Sequence, residues 1–277
     1  MVESLNLTQS VDQDNQQFWN ELCGTQLAKS LDITDNSPPS LKRFDDWYMN
    51  FYPYLNRHVQ FKELHGRDVL EVGLGYGTVA QRIMEAGAHY HGLDIAEGPV
   101  QMVRHRLRQN NLEGEARRGS ILECPYPDET FDHVIAIGCY HHTGNLSRAL
   151  EETRRILRPG GKAMVMVYSA YSYRRWLLWP RATVRYFCWD KLGIGAPGVA
   201  SAEERAGYDV NTTGNAAPET VFVSAGHIRR MAAQWQECHV YRENIGAEGV
   251  FGRIDRNRLL ATLGPIFGLD LYCHLKR

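Results

Sequence analysis

Hydrophobic and polar positions along residues 68–168 alternate in the rhythm of strands and helices. Short apolar runs predict strands at 68–72, 89–93, 114–118, 132–137 and 162–168. Between them, apolar residues spaced along one helix face predict helices at about 77–87, 97–110 and 145–157. Because strands alternate with helices of ordinary length, the pattern predicts a mostly parallel sheet with right-handed crossovers.

The pattern changes before this block. Residues 1–65 are expected to form a helical cap, with a short helical piece that opens at Phe18 and Trp19. Further on, Trp47, Phe51 and Tyr54 are spaced as on one face of a helix, which predicts an amphipathic helix against an apolar surface.

The pattern also changes after this block. Residues 169–224 contain three tryptophans and a glycine-rich run, and they are too long for a simple connection, so we expect a substrate-side insertion or lid. Residues 225–277 are expected to complete the core with a last helix at 225–237 and strands at 238–244 and 269–275.

The strongest chemical signal is a glycine-rich turn that follows the first predicted strand. Glycines stand at positions 73, 75 and 77, and the second predicted strand ends in Asp94. Glycines let the backbone approach a ligand closely. A carboxylate suits the two hydroxyls of a ribose, because it has two acceptor oxygens. The combination predicts a site for an adenosine-containing cofactor.

The spacing Gly73-Leu-Gly-Tyr-Gly77, preceded by Glu71, resembles motif I of class I S-adenosylmethionine-dependent methyltransferases rather than the GxGxxG turn of dinucleotide enzymes. Later landmarks of the chain resemble those of the same family, in order: Asp94-Ile95, Gly119-Ser-Ile121, Phe131 to Gly138, and Leu157-Arg-Pro-Gly-Gly-Lys162. The resemblance is to the type 11 methyltransferases and covers roughly residues 65–168. Shorter matches at Phe18-Trp19-Asn20, at 214–224 and at 268–272 extend it over most of the chain.

The resemblance implies a fold and a cofactor. The fold would be a Rossmann-like, doubly wound, seven-stranded, mostly parallel sheet with helices on both faces, in which residues 66–168 bind the cofactor. S-adenosyl-L-methionine would be the methyl donor and S-adenosyl-L-homocysteine the product. The residues expected to hold the cofactor are Glu71, Gly73, Gly75, Gly77, Thr78, Asp94, Ile95, Ser120, Ile121 and Gly138.

Ser120 departs from the family pattern. Many relatives carry an aspartate at this position that reaches the adenine amino group, whereas a serine hydroxyl is a neutral acceptor. We therefore expect the adenine contact to be weaker here, or to be made through a backbone carbonyl.

The candidates for catalysis and acceptor binding lie mainly in the loop after the fourth strand. His141 resembles, locally, the general base of plant-type O-methyltransferases, and anchoring of the loop is the alternative role. Tyr48, Tyr52, Tyr140 and His142 are the candidate contacts to the acceptor. No metal site is expected, because adjacent histidines rarely share a direction and no third ligand is spaced nearby.

Composition excludes some classes of function. The 277 residues carry a net charge of −1, so there is no broad electrostatic footprint for nucleic acid, although five arginines (104, 106, 108, 117 and 118) offer a local patch. The N-terminal residues lack the pattern of a secretory signal, and no apolar run is long enough to span a membrane. The six cysteines are scattered, which is typical of a reducing, cytoplasmic setting.

These observations predict an enzyme that moves a methyl group to an O or N atom of a small-molecule acceptor. A homodimer is the candidate assembly, and the sequence leaves the oligomeric state open. Three alternatives stay open. The acceptor is lipophilic and near a membrane, or it is a tRNA, or the chain is a non-catalytic module that only binds the cofactor.

Overall fold

The computed structural model describes residues 2–246 and 251–277, and within them the alternating block forms a seven-stranded sheet with the order β3-β2-β1-β4-β5-β7-β6. The strands are β1 Asp68–Val72, β2 His89–Asp94, β3 Glu115–Arg118, β4 Phe131–Ile137, β5 Leu157–Tyr168, β6 Glu237–Glu243 and β7 Asp270–Lys276. Neighbouring strands pair in parallel, except that β7 runs antiparallel to both β5 and β6. The predicted Rossmann-like fold class is confirmed.

Helices cover both faces of this sheet and both ends of the chain. In chain order they are α1 Val2–Trp19, α2 Thr25–Ser30, α3 Pro38–Phe51, α4 Leu55–Val59, α5 Thr78–Glu85, α6 Glu97–Asn110, α7 Leu146–Ile156, α8 Tyr173–Leu178, α9 Pro180–Leu192, α10 Ala202–Ala206, α11 Ala225–Met231, α12 Arg256–Thr262 and α13 Gly264–Phe267. In the part of the chain described above, none is long and apolar enough to cross a membrane.

Each face of the sheet has its own hydrophobic core. Val69 and Leu70 are adjacent in β1 and both fully buried, yet they belong to different clusters of core residues. Ile135 packs with Val69 and Val134 packs with Leu70 in the same way. Successive side chains of a strand point to opposite faces, so a run that is apolar at every position is what a sheet covered on both sides requires.

The N-terminal cap differs from the prediction in two places. The helix α1 ends at Trp19, so Phe18 and Trp19 close a helix instead of opening one. The predicted face of Trp47, Phe51 and Tyr54 holds only for the first two, whose rings stack at 4.6 Å. Tyr54 lies beyond α3, because Pro53 disfavours helical backbone at the residue before it.

The C-terminal half also corrects the prediction. Residues 169–224 contain α8, α9 and α10. The segment returns to the end of β5, where Val223 forms a β-bridge with Ser169. The helix expected at 225–237 is shorter, since α11 ends at Met231, and it is not the last one. Both α12 and α13 follow it between β6 and β7.

Candidate active site

A cavity of about 330 Å³ lies at the carboxyl ends of the central strands. The order β3-β2-β1-β4-β5 reverses direction between β1 and β4, and ligands of doubly wound sheets bind at this point. The volume is within the range of small-molecule sites, roughly 300–1,000 Å³. All ten residues that the sequence predicted to hold the cofactor line this cavity.

The glycine turn after β1 approaches the loop after β4 closely. Gly73 has φ +80°, and a Cβ built on it would lie 2.6 Å from the Cβ of Cys139. A larger residue at position 73 would be strained and would also collide with that loop. The missing side chain at Gly73 therefore lets the loop after β4 pack closely against the turn, and both segments line the cavity.

Asp94 is buried at the end of β2, and its carboxylate is held by the backbone. Its Oδ2 accepts a hydrogen bond from the N–H of Leu74 at 2.7 Å, and its Oδ1 accepts one from Ala96 at 2.9 Å. Burial raises the pKa of Asp94 to about 6, although these hydrogen bonds act in the opposite direction. At neutral pH the group is therefore mainly a carboxylate with lone pairs left for two ribose hydroxyls.

Glu71 is buried in β1, the strand that pairs with the strand of Asp94, and it lines the cavity. The hydroxyl of Tyr90 donates to its Oε2 at 2.7 Å. Burial raises the pKa of Glu71 to about 8, with a contribution from the nearby charge of Asp94. A cationic group in the cavity, such as the sulfonium or the ammonium of the predicted cofactor, would favour the ionised form.

Thr78 reaches the cavity at the start of α5 and also ties the turn to the N-terminal cap. Its hydroxyl donates to Oδ1 of Asp45 at 2.6 Å. The buried guanidinium of Arg106 donates to both oxygens of the same carboxylate, at 2.8 and 2.9 Å, and to the carbonyl of Tyr76. One ion pair thus connects α3, α6 and the glycine turn.

The cavity wall near Ser120 carries a carboxylate that the sequence pattern did not predict. Ser120 accepts a hydrogen bond from the N–H of Leu122, so its hydroxyl keeps its proton free to donate. Asp12 of α1 lies beside it, and burial raises the pKa of Asp12 in spite of a hydrogen bond from Ser120. Its Oδ1 is buried without a hydrogen-bond partner among the described residues. The sequence around Asp12 is polar and has no motif, so no local pattern predicts that this aspartate lies at the cavity.

The opposite end of the cavity is aromatic. Tyr48 and Tyr52, both predicted as acceptor contacts, line it with ring centroids 4.8 Å apart. Trp19 and Trp47 line it as well. Of the predicted acceptor residues in the loop after β4, His142 lines the cavity, and its ring lies 4.8 Å from that of Trp19.

His141 does not lie where the prediction put it. Its side chain is fully buried, is absent from the cavity wall and packs on the ring of Tyr168 at 4.1 Å. Burial holds the pKa of His141 well below its usual range. The residues Tyr140–His142 form one short 3₁₀ turn, in which His142 lines the cavity and His141 does not.

Tyr140 is also a correction. Its side chain is fully buried in the core on the opposite side of the turn, and its hydroxyl is 2.6 Å from that of Thr153. It lies among the apolar residues of β4 and α7, which leaves no face toward the cavity. Tyr140 therefore anchors the loop and does not contact an acceptor.

His142 is held from three sides. Its backbone carbonyl accepts a hydrogen bond from Asn15 of α1, and its Nδ1 is 2.6 Å from the carbonyl oxygen of Glu219. Its Nε2 is 3.5 Å from Oδ2 of Asp209. Both Asp209 and Glu219 belong to the insertion, so the sequence-predicted loop and the insertion meet at this histidine.

Three of the five arginines considered as a patch for tRNA make contacts within the protein. Arg106 is buried against Asp45, Arg104 donates to the carbonyl of Ala116, and Arg117 pairs with Glu115. Arg108 and Arg118 are exposed. Of the five, Arg106 is thus withdrawn from a basic surface.

Comparison with known families agrees with this geometry. The family model described as "Methyltransferase domain" matches residues 70–165, from β1 to β5. These residues form a class I S-adenosylmethionine-dependent methyltransferase domain. S-adenosylmethionine is the cofactor of this family, and Asp94 and the glycine turn of the domain line the cavity described above.

Two curated relatives resemble the methyltransferase domain. A demethylmenaquinone methyltransferase of Tropheryma whipplei is 30% identical over 105 residues, which cover 38% of this chain and 43% of that protein. Phthiotriol/phenolphthiotriol dimycocerosates methyltransferase 1 of Mycobacterium ulcerans is 36% identical over 117 residues, 41% of each chain. The chain thus spans about two fifths of the length of these relatives.

Solved structures extend the similarity in fold beyond the domain. A structure titled as a SAM-dependent methyltransferase from Methanosarcina mazei superposes with a TM-score of 0.53 at 13% identity, over 82% of this chain and 97% of that one. At this identity the likeness concerns the fold. It reaches residues on both sides of the methyltransferase domain.

Proposed function

We propose that this chain transfers the methyl group of S-adenosylmethionine to an O or N atom of a small-molecule acceptor. The observation that carries the proposal is the convergence of ten predicted residues on one cavity, with the buried carboxylate of Asp94 at its centre. The matched methyltransferase domain supports it.

The residues of the cavity have distinct roles in this proposal. Asp94 accepts hydrogen bonds from the ribose hydroxyls, Ile95 and Ile121 pack against the adenine, and the turn at Gly73 borders the methionine part. The cofactor supplies an electrophilic methyl group. What the protein adds is alignment of acceptor and methyl group and exclusion of water by α1 and α3.

An acceptor hydroxyl must also lose a proton. The groups placed to handle it are His142, which lines the cavity, and Asp209, which lies 3.5 Å from its Nε2. His141 is not proposed as the base, because its ring is sealed from the cavity.

Calorimetric titration with S-adenosylhomocysteine and S-adenosylmethionine tests the proposal. Wild-type protein should bind both, and Asp94→Ala should weaken binding at least tenfold, because ribose hydroxyls would lose a charged acceptor. The control Asp46→Ala removes an exposed carboxylate of α3 and should change nothing. If the wild type binds neither compound, the proposal is wrong. Incubation with methyl-labelled cofactor and an acceptor panel would then identify the product.

A second candidate is a lipophilic acceptor reached at a membrane surface. Exposed apolar side chains cluster in α8 and α9, among them Leu177, Leu178 and Phe187. The charged side chains exposed on α9 are basic, namely Arg181, Arg185 and Lys191. A surface that is both apolar and basic favours anionic lipid. Two relatives named for menaquinone and phthiotriol substrates make this acceptor class worth testing.

A further inference from the structure

A cluster of possible metal ligands lies beside the acceptor end of the cavity. His141, His142 and Asp209 each offer one ligand atom, and these atoms all lie within 4.8 Å of one another. The two rings lie side by side, with centroids 4.2 Å apart. Two imidazoles and one carboxylate form a ligand set that divalent transition metals use.

The unpaired atoms of this cluster are the main observation. Both ring nitrogens of His141, Nε2 of His142 and Oδ2 of Asp209 are buried and have no hydrogen-bond partner among the residues that the structure describes. Buried polar atoms are nearly always paired, and leaving one unpaired costs about 1–3 kcal/mol. One bound ion would satisfy three of these atoms, since His141 offers one ring nitrogen and His142 Nε2 and Asp209 Oδ2 lie only 3.5 Å apart.

The surrounding hydrogen bonds orient the cluster for a cation. His142 Nδ1 is 2.6 Å from the carbonyl oxygen of Glu219, which only accepts, so Nδ1 carries the proton and the lone pair of Nε2 points toward Asp209. The hydroxyl of Tyr168 donates to the other carboxylate oxygen of Asp209 at 3.2 Å. Outer hydrogen bonds of this kind fix the tautomer and direction of ligands in metal sites. A cation between the lone pair of Nε2 and the carboxylate oxygen of Asp209 would satisfy both atoms.

We propose that His141, His142 and Asp209 bind one divalent transition-metal ion, with Zn²⁺ as the type. Bonds of about 2.0–2.2 Å at tetrahedral angles place ligand atoms roughly 3.3–3.5 Å apart. The His142–Asp209 pair already has this separation. The widest pair must close by roughly 1.4 Å or less to reach the same distance, which side-chain rotation provides.

Three protein ligands leave a coordination position open, as catalytic zinc sites do. Because His142 lines the cavity, this position is adjacent to the acceptor. This role of the ion rests on the proposed methyl transfer. An ion held there would lower the pKa of an acceptor hydroxyl at the open position, in place of proton uptake by His142. The acceptor oxygen would then bond to the methyl carbon as the carbon–sulfur bond breaks with its electron pair left on sulfur, which yields S-adenosylhomocysteine and releases the proton to water.

The proposed site differs from the expectation that no metal is bound. That expectation assumed that adjacent histidines diverge and that a third ligand would be close in sequence. In the fold, the rings of His141 and His142 lie together, and the distant segment before the 214–224 stretch supplies Asp209.

Titration of the full chain with Co²⁺ tests the site directly. Protein freed of metal by dialysis against a chelator is titrated with Co²⁺ while visible absorption is recorded, and with Zn²⁺ by calorimetry. One ion should bind per chain, with the absorption bands of four-coordinate cobalt. Both Asp209→Asn and His142→Gln should weaken Co²⁺ binding at least tenfold. The control His239→Gln removes an exposed histidine and should bind as the wild type does.

Two results would overturn the inference: absence of stoichiometric Co²⁺ binding, or equal Co²⁺ affinity in wild type and Asp209→Asn. In either case His142 and Asp209 would form a hydrogen-bonded pair that binds no metal ion. Binding of S-adenosylhomocysteine to the same samples shows that each variant is folded, and it separates the two proposals. If the protein binds S-adenosylhomocysteine but not Co²⁺, the metal site alone is rejected. If it binds Co²⁺ but not S-adenosylhomocysteine, the proposed methyl transfer alone is rejected.

Discussion

Asp94 shows at the residue scale how burial sets a pH dependence. Burial raises the pKa of Asp94 to about 6 in the free protein, while ribose hydroxyls bind the ionised form. Affinity for S-adenosylhomocysteine should therefore fall as the pH drops below 6, by up to about tenfold per pH unit. Calorimetry between pH 5 and 7 measures this fall.

Asp94→Asn is the matched control for this dependence, because it cannot titrate. Its affinity should be lower and flat between pH 5 and 7. Glu71, whose pKa burial raises to about 8, is present in both proteins, so a change above pH 7 should appear in both. A wild-type profile as flat as that of Asp94→Asn would remove Asp94 from the cofactor site.

Asp12 carries a second prediction at this scale. We expect its unpaired Oδ1 to accept a hydrogen bond from the adenine amino group. It would take the role of the aspartate that many relatives carry at the position of Ser120. A hydrogen bond to a charged group is worth about 1.5–3 kcal/mol, so Asp12→Ala should weaken S-adenosylhomocysteine binding roughly tenfold or more. The inosine analogue, which has no amino group, should bind wild type and variant alike.

The exposed neighbour Asp14 in the same helix is the control for Asp12. Asp14→Ala should bind both compounds as the wild type does. If Asp12→Ala weakens the binding of both compounds equally, the carboxylate positions α1 and does not contact the adenine amino group.

At the scale of elements, the ion pair of Arg106 and Asp45 joins the N-terminal cap to the cofactor turn. The Arg106 side chain is only 2% exposed, so Asp45→Ala would leave a buried charge without its partner. Such a loss typically costs about 3–5 kcal/mol, so the urea midpoint should fall strongly.

Asp46 offers the matched control one residue later in α3. Its exposed pair with Lys42 should contribute at most about 0.5 kcal/mol, so Asp46→Ala should unfold close to the wild type. Equal urea midpoints for the two variants would mean that the cap is not held by the Arg106–Asp45 pair.

The elements also show what the sequence can and cannot predict. Strands and core helices were predictable, because each repeats an apolar pattern that burial on the sheet requires. The side-chain directions at His141 and His142 were not, because one residue of phase in a short turn decides which ring faces the cavity. Asp12 and Asp209 were missed for another reason: their contacts join segments far apart in the chain, which no local pattern records.

At the scale of the whole molecule, the insertion presents apolar and basic side chains to solvent. Leu177, Leu178 and Leu192 are each more than half exposed, and the carboxylate of Asp190 is turned inward to Arg230. The exposed charges of α9 that remain are basic. A membrane surface that carries acidic lipid matches both properties.

This face predicts vesicle binding. The chain should co-sediment with vesicles that contain phosphatidylglycerol and much less with pure phosphatidylcholine, and salt should weaken the binding because it screens the basic residues. Leu177→Ser with Leu178→Ser should reduce binding severalfold, since apolar burial adds to the attraction. The control Ile266→Ser changes a similarly exposed residue of α13, outside the insertion, and should bind as the wild type does. If the wild-type protein stays in the supernatant with both vesicle types, the proposal of an acceptor at a membrane surface is wrong. The acceptor would then be a small molecule in solution.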